Sequence, residues 1–248
     1  DVAARYVVYE NAFNTGTLHT VTEDTNMQLH ETALQHCYKK GTKPLRQIFK
    51  DIKDAQQPPR VLQKCPYCGI TLPKTHDHYL PETPFPEFSA HALNLVPCCN
   101  ECNSKKGARW VDVNGRMFVH FYLDPLPNDQ YLQVQLSTNP GSIAVGVSFS
   151  LVRPATITDN NIWSLIESHF ENLSLLNRYR EEGNNEISEI FDVCVSHLEA
   201  GGVDVAGFLM AYSERNANVF GVNHWRVVLW MALSQDQNFI ASINQAVV

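Results

Sequence analysis

The sequence predicts an α+β fold, and three features of the 248-residue chain support this prediction. Two Cys-x-x-Cys pairs, Cys65/Cys68 and Cys99/Cys102, frame a central segment rich in turn residues. After that segment, three stretches that alternate or are rich in β-branched residues predict a small antiparallel sheet: residues 117–123, 131–136 and 143–150. From residue 159 onward, apolar residues recur at helical spacing. With 44% hydrophobic residues, the chain can bury one large core or two small ones.

These features divide the chain into four expected regions. The first is helical and basic, the second is the cysteine-rich core, the third is the small sheet, and the fourth is helical and acidic. Their expected bounds are residues 1–60, 61–110, 111–155 and 156–248.

The sequence pattern of residues 1–24 is weak, and a short strand is expected at residues 5–9. A helix is predicted at 26–40, because Asn26 suits a cap and Gly41 a stop. A second helix is predicted from Pro44, a residue that is favoured in the first turn, to the prolines at 58–59. Its apolar residues fall on one face: Leu45, Ile48, Phe49 and Ile52.

The C-terminal region is predicted to hold four helices. A break near Gly183 is the alternative to a continuous second helix. Their expected bounds are 160–171, 173–199, 204–218 and 223–234. Three cysteines outside the two pairs have no predicted chemistry. Cys98 is interpreted as a small hydrophobic residue, and Cys37 and Cys194 as buried thiols.

The two cysteine pairs predict a zinc site. Each Cys-x-x-Cys turn directs two sulfurs to one side of a metal, and four thiolates close a tetrahedral Zn²⁺ with no open position. We therefore expect Cys65, Cys68, Cys99 and Cys102 to hold a structural zinc. A simple zinc ribbon that binds a partner is the alternative. It explains the sulfurs but not the polar residues between them.

Those polar residues resemble the HNH, or ββα-metal, nuclease motif in its zinc-containing form. Asp77-His78 matches the first element of the motif, and Asn94-Leu95-Val96-Pro97 matches the second. The third is matched by Cys99-x-x-Cys102-Asn103-x-x-Lys106-Gly107. The resemblance covers about 45 residues, and its parts occur in the family's order.

The resemblance implies a role for each matched position in phosphodiester hydrolysis. His78 would be the general base that takes a proton from the attacking water. Asp77 and Asn103 would hold one catalytic divalent cation, Mg²⁺ or Mn²⁺, through oxygen ligands. Asn94 would hold the loop that carries the base in place. His76 and His91 are expected to be ordinary loop or surface residues. A substrate contact is the alternative for His76, because it lies two positions from His78 on the same strand face.

The net charge of −7 is unevenly distributed. Residues 1–110 carry a net charge of +2 and residues 111–248 one of −9, so the two halves present different surfaces. Basic residues are concentrated at 39–64 and after the second cysteine pair. The predicted nucleic-acid contacts are Lys43, Arg46, Lys50, Lys105, Lys106 and Arg109. A solvated helix face is the alternative for the basic residues at 39–64. Within 118–125, His120 and Asp124 are interpreted as polar positions on the open face of a strand.

The chain also resembles nuclease components of bacterial anti-phage systems of the Septu and retron-associated types. That resemblance implies an effector with a protein partner, such as an ATPase or sensor subunit. Seven cysteines, four of them expected metal ligands, suit a reducing compartment, and no apolar run reaches spanning length, so we expect a cytoplasmic protein without membrane association. DNA is favoured over RNA as the substrate. The alternatives are a free-standing restriction or homing-type HNH nuclease and a non-catalytic, zinc-dependent interaction module.

Overall fold

The computed structural model describes residues 1–39, 41–138 and 145–247, and it confirms an α+β fold that is mostly helical. The helices are α1 (Val2–Asn14), α2 (Thr25–Gln28), α3 (Glu31–Lys39), α4 (Lys43–Asp54), α5 (Asn100–Lys106), α6 (Asn160–Asn172), α7 (Leu175–Glu199), α8 (Val205–Phe220), α9 (Trp225–Gln235) and α10 (Gln237–Ala246). The strands are β1 (Thr75–His78), β2 (Leu95–Cys98), β3 (Val111–Asp112), β4 (Gly115–Arg116), β5 (Leu132–Thr138) and β6 (Val145–Leu151).

The strands pair in sequence order as antiparallel ladders of two strands each. In the β1–β2 ladder, Thr75 is opposite Cys98 and His78 is opposite Leu95. The β3–β4 ladder is a short hairpin, and the β5–β6 ladder runs over seven residue pairs. The ladder β1–β2 leads directly into α5, so a ββα unit lies at the centre of the cysteine-rich segment.

The chain folds into two compact units. The first comprises Asp1–Leu126 and Ser164–Leu173, and the second comprises Pro127–Trp163 and Ser174–Val248. The first unit therefore contains both predicted regions 1–60 and 61–110, while the region 111–155 contributes to both units. Part of α6 belongs with the cysteine-rich segment, which the sequence does not indicate.

The expectation of a strand at residues 5–9 is wrong, because α1 occupies this segment. The Asp1 side chain accepts a hydrogen bond from the Ala3 N–H and caps the helix. Tyr9 is fully buried, and its hydroxyl donates to the carbonyl of Leu93 at 3.2 Å. This packing on a distant loop is a tertiary contact, which local helix propensity does not include.

The helix expected at 26–40 is two helices, α2 and α3, and α2 is capped by Asp24 instead of Asn26. Lys40 lies outside the described residues. The helix predicted from Pro44 is confirmed as α4, which begins one residue earlier behind the cap residue Thr42. Its apolar face packs against Leu95 of β2.

The three-stranded sheet is not formed, because residues 117–123 do not adopt a strand. Asp124 instead binds Arg116 at 2.6 Å and accepts a hydrogen bond from the His120 N–H at 2.7 Å, which stabilises a turn. His120 is completely buried, so its predicted place on an open strand face is wrong as well. The other two predicted strands are β5 and β6. Residues 139–144, between these two strands, lie outside the described residues.

The four predicted C-terminal helices are confirmed as α6 to α9, and α10 follows them. Helix α7 continues through Gly183 without a break. A Cβ atom at Gly183 would lie 2.8 Å from the Val147 side chain and 3.4 Å from that of Phe149. Glycine is thus required here by the close approach of α7 to β6 and not by a turn.

Cys98 and Cys194 are buried, as predicted, whereas Cys37 is exposed. Cys37 lies on α3, a helix with no fully buried residue. Among the described residues, no helix is both long and apolar enough to cross a membrane.

Candidate active site and metal centre

The four predicted cysteines meet at one point of the first unit. Their sulfur atoms all lie within 4.8 Å of one another, and all four residues are buried. Among the described residues, they form the one group of three or more His, Cys, Asp or Glu side chains that can share a metal ion. Cys65 and Cys68 come from the loop before β1, while Cys99 and Cys102 come from the first turn of α5.

The geometry of this group fits a tetrahedral metal such as zinc. Zn–S bonds of about 2.3 Å place tetrahedral sulfurs about 3.8 Å apart, and the Sγ atoms of Cys68 and Cys99 are 3.9 Å apart. Backbone N–H groups point at the sulfurs: that of Ile70 at Cys68 and that of Cys99 at Cys65, at 3.4 and 3.3 Å. Donors aimed at sulfur stabilise thiolates, the form that binds metal.

The ββα unit places the predicted catalytic residues beside this centre. Asp77 and His78 are the last two residues of β1, Asn94 immediately precedes β2, and Asn103 lies on α5. Because successive side chains of a strand point to opposite faces, Asp77 and His78 face different surroundings. Asp77 is buried toward α5, whereas His78 is partly exposed and faces the loop between β1 and β2.

One ring nitrogen of His78 is fixed by the loop between β1 and β2. Nε2 lies 2.9 Å from the carbonyl oxygen of Ser89. A carbonyl can only accept a hydrogen bond, so Nε2 carries the proton and Nδ1 keeps its lone pair. No hydrogen bond to Nδ1 is found within the described part of the chain. The arrangement gives a neutral imidazole with one basic nitrogen available.

Burial keeps His78 neutral by lowering its pKa to about 4. The ring of Tyr38 approaches it edge-on, with 4.4 Å between ring centres. The Oε1 atom of Glu82 lies 3.6 Å from Nε2 and has no hydrogen-bond partner among the described residues. That distance exceeds a hydrogen bond, so Ser89 and not Glu82 orients the imidazole.

Asn94 ties both ends of the same loop together. Its side-chain oxygen accepts from the Leu80 N–H at 2.7 Å, and its amide nitrogen donates to the carbonyls of Leu80 and Phe88 at 3.0 and 3.2 Å. The Asn94 side chain is fully buried, so these hydrogen bonds satisfy polar groups that water cannot reach. Ser89 follows Phe88 directly. Asn94 therefore holds the segment whose carbonyl orients His78.

Asp77 forms an ion pair with Lys106, which is the last residue of α5. The Lys106 Nζ atom lies 3.1 Å from Asp77 Oδ1, and the hydroxyl of Tyr67 donates to Asp77 Oδ2 at 2.8 Å. The side chains of Asp77 and Lys106 are 2% and 0% exposed. Burial raises the pKa of Asp77 and lowers that of Lys106, while the charge of each favours ionisation of the other.

Lys106 makes further contacts that fix it in the core. Nζ donates to the carbonyl oxygen of His78 at 2.8 Å and lies 5.8 Å from the ring centres of both Tyr79 and Phe118. The prediction that Lys106 contacts nucleic acid is therefore wrong, because its ammonium is enclosed by protein. The sequence pattern Lys105-Lys106 looks like surface charge, but the second lysine follows Cys102 by one helical turn and shares its buried face.

The predicted divalent-cation site does not fit this geometry. Both carboxylate oxygens of Asp77 already have a close partner, and one of these is a cation. Mg²⁺ requires near-octahedral oxygen ligands at about 2.1 Å, which would place it against the Lys106 ammonium. Asn103 is partly buried on the same helix, one turn before Lys106. Its role as a ligand stays a prediction.

The other predicted contacts are at the surface. Lys43, Arg46 and Lys50 of α4 are exposed, and Lys50 pairs with Asp54. Arg109 is also exposed and donates to the Asn172 side chain at 2.7 Å, while Lys105 is partly exposed. These positions are accessible to a phosphate backbone, and nucleic-acid binding by them stays a prediction.

The neighbouring histidines have structural contacts. His76 stacks on Phe49 of α4, with ring centres 4.1 Å apart, so α4 packs on the same face of β1 as His78. His91 lies in a loop, one of the two predicted settings, and is buried against Tyr6 and Tyr9 of α1. The sequence around each histidine does not show that α4 covers His76 or that α1 covers His91, so neither contact could be predicted.

Three positioning contacts have no sequence signal of their own. Tyr67 binds Asp77, and the Ser89 carbonyl binds His78. His169, on α6, is buried; its Nε2–H donates to the carbonyl of Tyr67 at 2.9 Å, and its Nδ1 accepts from the Val119 N–H. A residue about 100 positions away thus supports the residue that binds Asp77. An i, i+3 pattern on α6 predicts burial of His169 but cannot name its partner.

The chain is similar to Protein ea31 of Escherichia phage lambda. The two are 29% identical over 216 residues, an alignment that covers 81% of this chain and 70% of the phage protein. No family model and no solved structure matches the chain.

Proposed function

We propose that this protein hydrolyses phosphodiester bonds of nucleic acid, with His78 as the general base. The observation that carries this proposal is the state of the His78 ring. Nε2 is committed to the Ser89 carbonyl, and Nδ1 retains its lone pair on a partly exposed surface. A neutral imidazole oriented in this way can accept a proton from water.

The residues around His78 support the same reaction. Nδ1 takes a proton from a water molecule as the water oxygen attacks phosphorus. The bond from phosphorus to the 3′ oxygen breaks, and the departing oxygen takes a proton from solvent. The products are a 5′-phosphate and a 3′-hydroxyl, as in the HNH family that the motif resembles. Asn94 and Ser89 keep the ring at a fixed angle during proton transfer, because the amide of Asn94 closes the loop that carries Ser89.

A structural zinc at the four cysteines is part of this proposal. Cys65 and Cys68 of the loop before β1, together with Cys99 and Cys102 at the N-terminus of α5, would hold the zinc, and this link would keep the strand that carries His78 in register with the helix. Thiolates at all four positions leave no place for water or substrate on the metal, so this metal would support the fold and take no part in hydrolysis.

A catalytic divalent cation is implied by the motif resemblance. The motif assigns it to Asp77 and Asn103, and Asp77 does not fit this role while Lys106 is bound to it. The cation would stabilise the negative charge on the phosphate and on the leaving oxygen.

We further propose that the protein acts on DNA as the nuclease effector of a defence system with a partner protein, such as an ATPase or sensor. Residues 61–110 carry only one more basic than acidic residue, and the remainder after residue 110 is strongly acidic. Such a chain attracts polyanions weakly by itself. A partner would bring it to its substrate, with the basic α4 facing the phosphates.

Purified protein should be incubated with plasmid DNA, or with RNA of similar length, in the presence of Mg²⁺ or Mn²⁺ and of any co-purifying partner. We expect nicked and linear DNA to form in these reactions and not in control reactions that contain EDTA from the start. Cleavage of RNA alone would change the substrate. Absence of cleavage with every metal and with the partner would instead favour a zinc-dependent interaction module.

A further inference from the structure

The residue pair Asp77–Lys106 distinguishes this site from a carboxylate that waits for a metal. The Lys106 Nζ atom is 3.1 Å from one oxygen of Asp77, and the Tyr67 hydroxyl is 2.8 Å from the other. Both charged side chains are at least 98% buried. The negative charge that would attract a divalent cation is therefore already balanced by an ammonium inside the protein.

The contacts of that ammonium show that it belongs where it lies. It donates to the His78 carbonyl at 2.8 Å and lies over the faces of two aromatic rings, Tyr79 and Phe118. Aromatic faces attract cations, and a carbonyl and a carboxylate accept its protons. A lysine that merely filled space would not find three kinds of partner suited to an ammonium.

We propose that Lys106 is the resident cation of Asp77, so that Asp77 does not bind a divalent metal ion, and that the pair positions His78. The Lys106 ammonium joins the Asp77 carboxylate to the His78 carbonyl, which fixes the end of β1. His78 then presents its ring to Ser89 on the opposite face of the strand. Any catalytic divalent cation is bound by other residues.

This inference deepens the proposed function, and it rests on that function only for the role of His78 as a base. The statement that Asp77 does not bind a divalent metal ion holds whether or not the protein cuts nucleic acid. It changes the meaning of the Asp-His pair. In the motif assignment, Asp77 holds a divalent cation and His78 is the general base. Here the first residue anchors the strand to α5, and the second carries out the proton transfer.

Manganese binding tests the first part. The full chain, purified with zinc, should be titrated with Mn²⁺ and followed by electron paramagnetic resonance of the free ion. We expect Asp77→Asn to leave the Mn²⁺ dissociation constant within about twofold of that of the wild type, or to leave an absence of binding unchanged. A tenfold or greater weakening in Asp77→Asn would overturn the proposal.

Removal of the ammonium should produce the opposite result. Lys106→Met leaves a buried carboxylate without its cation, and we expect it to bind at least one Mn²⁺ tenfold more tightly than the wild type. The double variant Asp77→Asn/Lys106→Met should lose that gain, and Lys105→Met serves as the matched control. A folded Lys106→Met protein with no gain would also refute the proposal. If that variant does not fold, the Asp77→Asn titration still decides.

Nitrogen NMR of the His78 ring tests the positioning part without any cleavage assay. In the wild type, we expect the ¹⁵N shifts of the tautomer with its proton on Nε2. Lys106→Met should produce a mixture of tautomers, and Lys106→Gln, which retains a donor for the His78 carbonyl, should restore the wild-type spectrum. Identical spectra for Lys106→Met and wild-type protein would show that Lys106 does not position His78. These readouts can fail while the nuclease activity stands, and the reverse also holds.

Discussion

Replacement of Lys106 by methionine should destabilise the first unit by about 3–5 kcal/mol, the usual cost of removing one partner of a buried ion pair. The Lys106 ammonium donates to Asp77 and to the His78 carbonyl, and methionine can make neither bond. Methionine fills similar volume, so a cavity contributes little to the expected loss. The Tyr67 hydroxyl stays bound to Asp77 and keeps the loss from being larger.

The double variant Asp77→Asn/Lys106→Met shows how much of the destabilisation in Lys106→Met comes from loss of the ion pair. It removes both charges and leaves the His78 carbonyl as the one acceptor that loses its donor, which costs about 1–3 kcal/mol. We therefore expect the double variant to be more stable than Lys106→Met, with a coupling energy of about 2 kcal/mol or more.

Local hydrogen exchange is the appropriate assay, because a chain with two compact units need not unfold in one step. Peptides that cover β1 and α5 should lose protection in Lys106→Met and regain it in the double variant. Lys105→Met is the control, since the adjacent lysine is partly exposed and its substitution should change stability by less than about 0.5 kcal/mol. Equal protection in Lys105→Met and Lys106→Met would refute the buried pair as a source of stability.

Three further predictions concern the rest of the molecule. Cys65→Ser should remove bound zinc and unfold the first unit, measured by metal analysis and circular dichroism; a folded, zinc-free protein would contradict it. Gly183→Ala should destabilise the second unit by about 1–3 kcal/mol, because the added methyl lies 2.8 Å from the Val147 side chain, whereas Gly146→Ala meets only an ordinary 3.5 Å contact and should be nearly neutral in the same denaturation assay. Burial lowers the pKa of His169 to about 4, so the unfolded chain takes up this proton before the folded protein does as the pH falls below 6.5. Between pH 7 and pH 5, the free energy of unfolding should therefore fall by about 2 kcal/mol more in the wild type than in His169→Gln, and an equal pH dependence of the two proteins would contradict this.

The local patterns were sufficient to predict the cysteine cluster, α4 and most of the C-terminal helices. Each depends on a short-range rule: the Cys-x-x-Cys turn, a proline in the first helical turn, or an apolar stripe. Helix α1 and the turn at 117–123 were not predictable in this way. Tyr9 stabilises α1 by packing on a loop about 80 residues away, and Asp124 stabilises the turn by binding Arg116.

The candidate site was predictable by position and not by pairing. The sequence places Asp77, His78, Asn94 and Asn103 in one ββα unit, but a motif does not tell which oxygen accepts from which donor. Lys106 shows the limit most clearly. Its neighbour Lys105 is partly exposed, and only the burial of α5 against β1 makes one lysine an internal cation and the other a surface charge.

Cleavage of an end-labelled DNA duplex by wild-type protein and by His78→Ala tests the proposed function most directly. Both proteins should contain equal zinc and be assayed with the same partner and divalent cation, and His19→Ala provides the same change at an exposed histidine. Removal of a general base lowers the rate by about 10²–10⁴-fold. We expect a loss of this size for His78→Ala only, with 5′-phosphate and 3′-hydroxyl ends in the wild-type products. Cleavage by His78→Ala at the wild-type rate would contradict the assignment of His78 as the base.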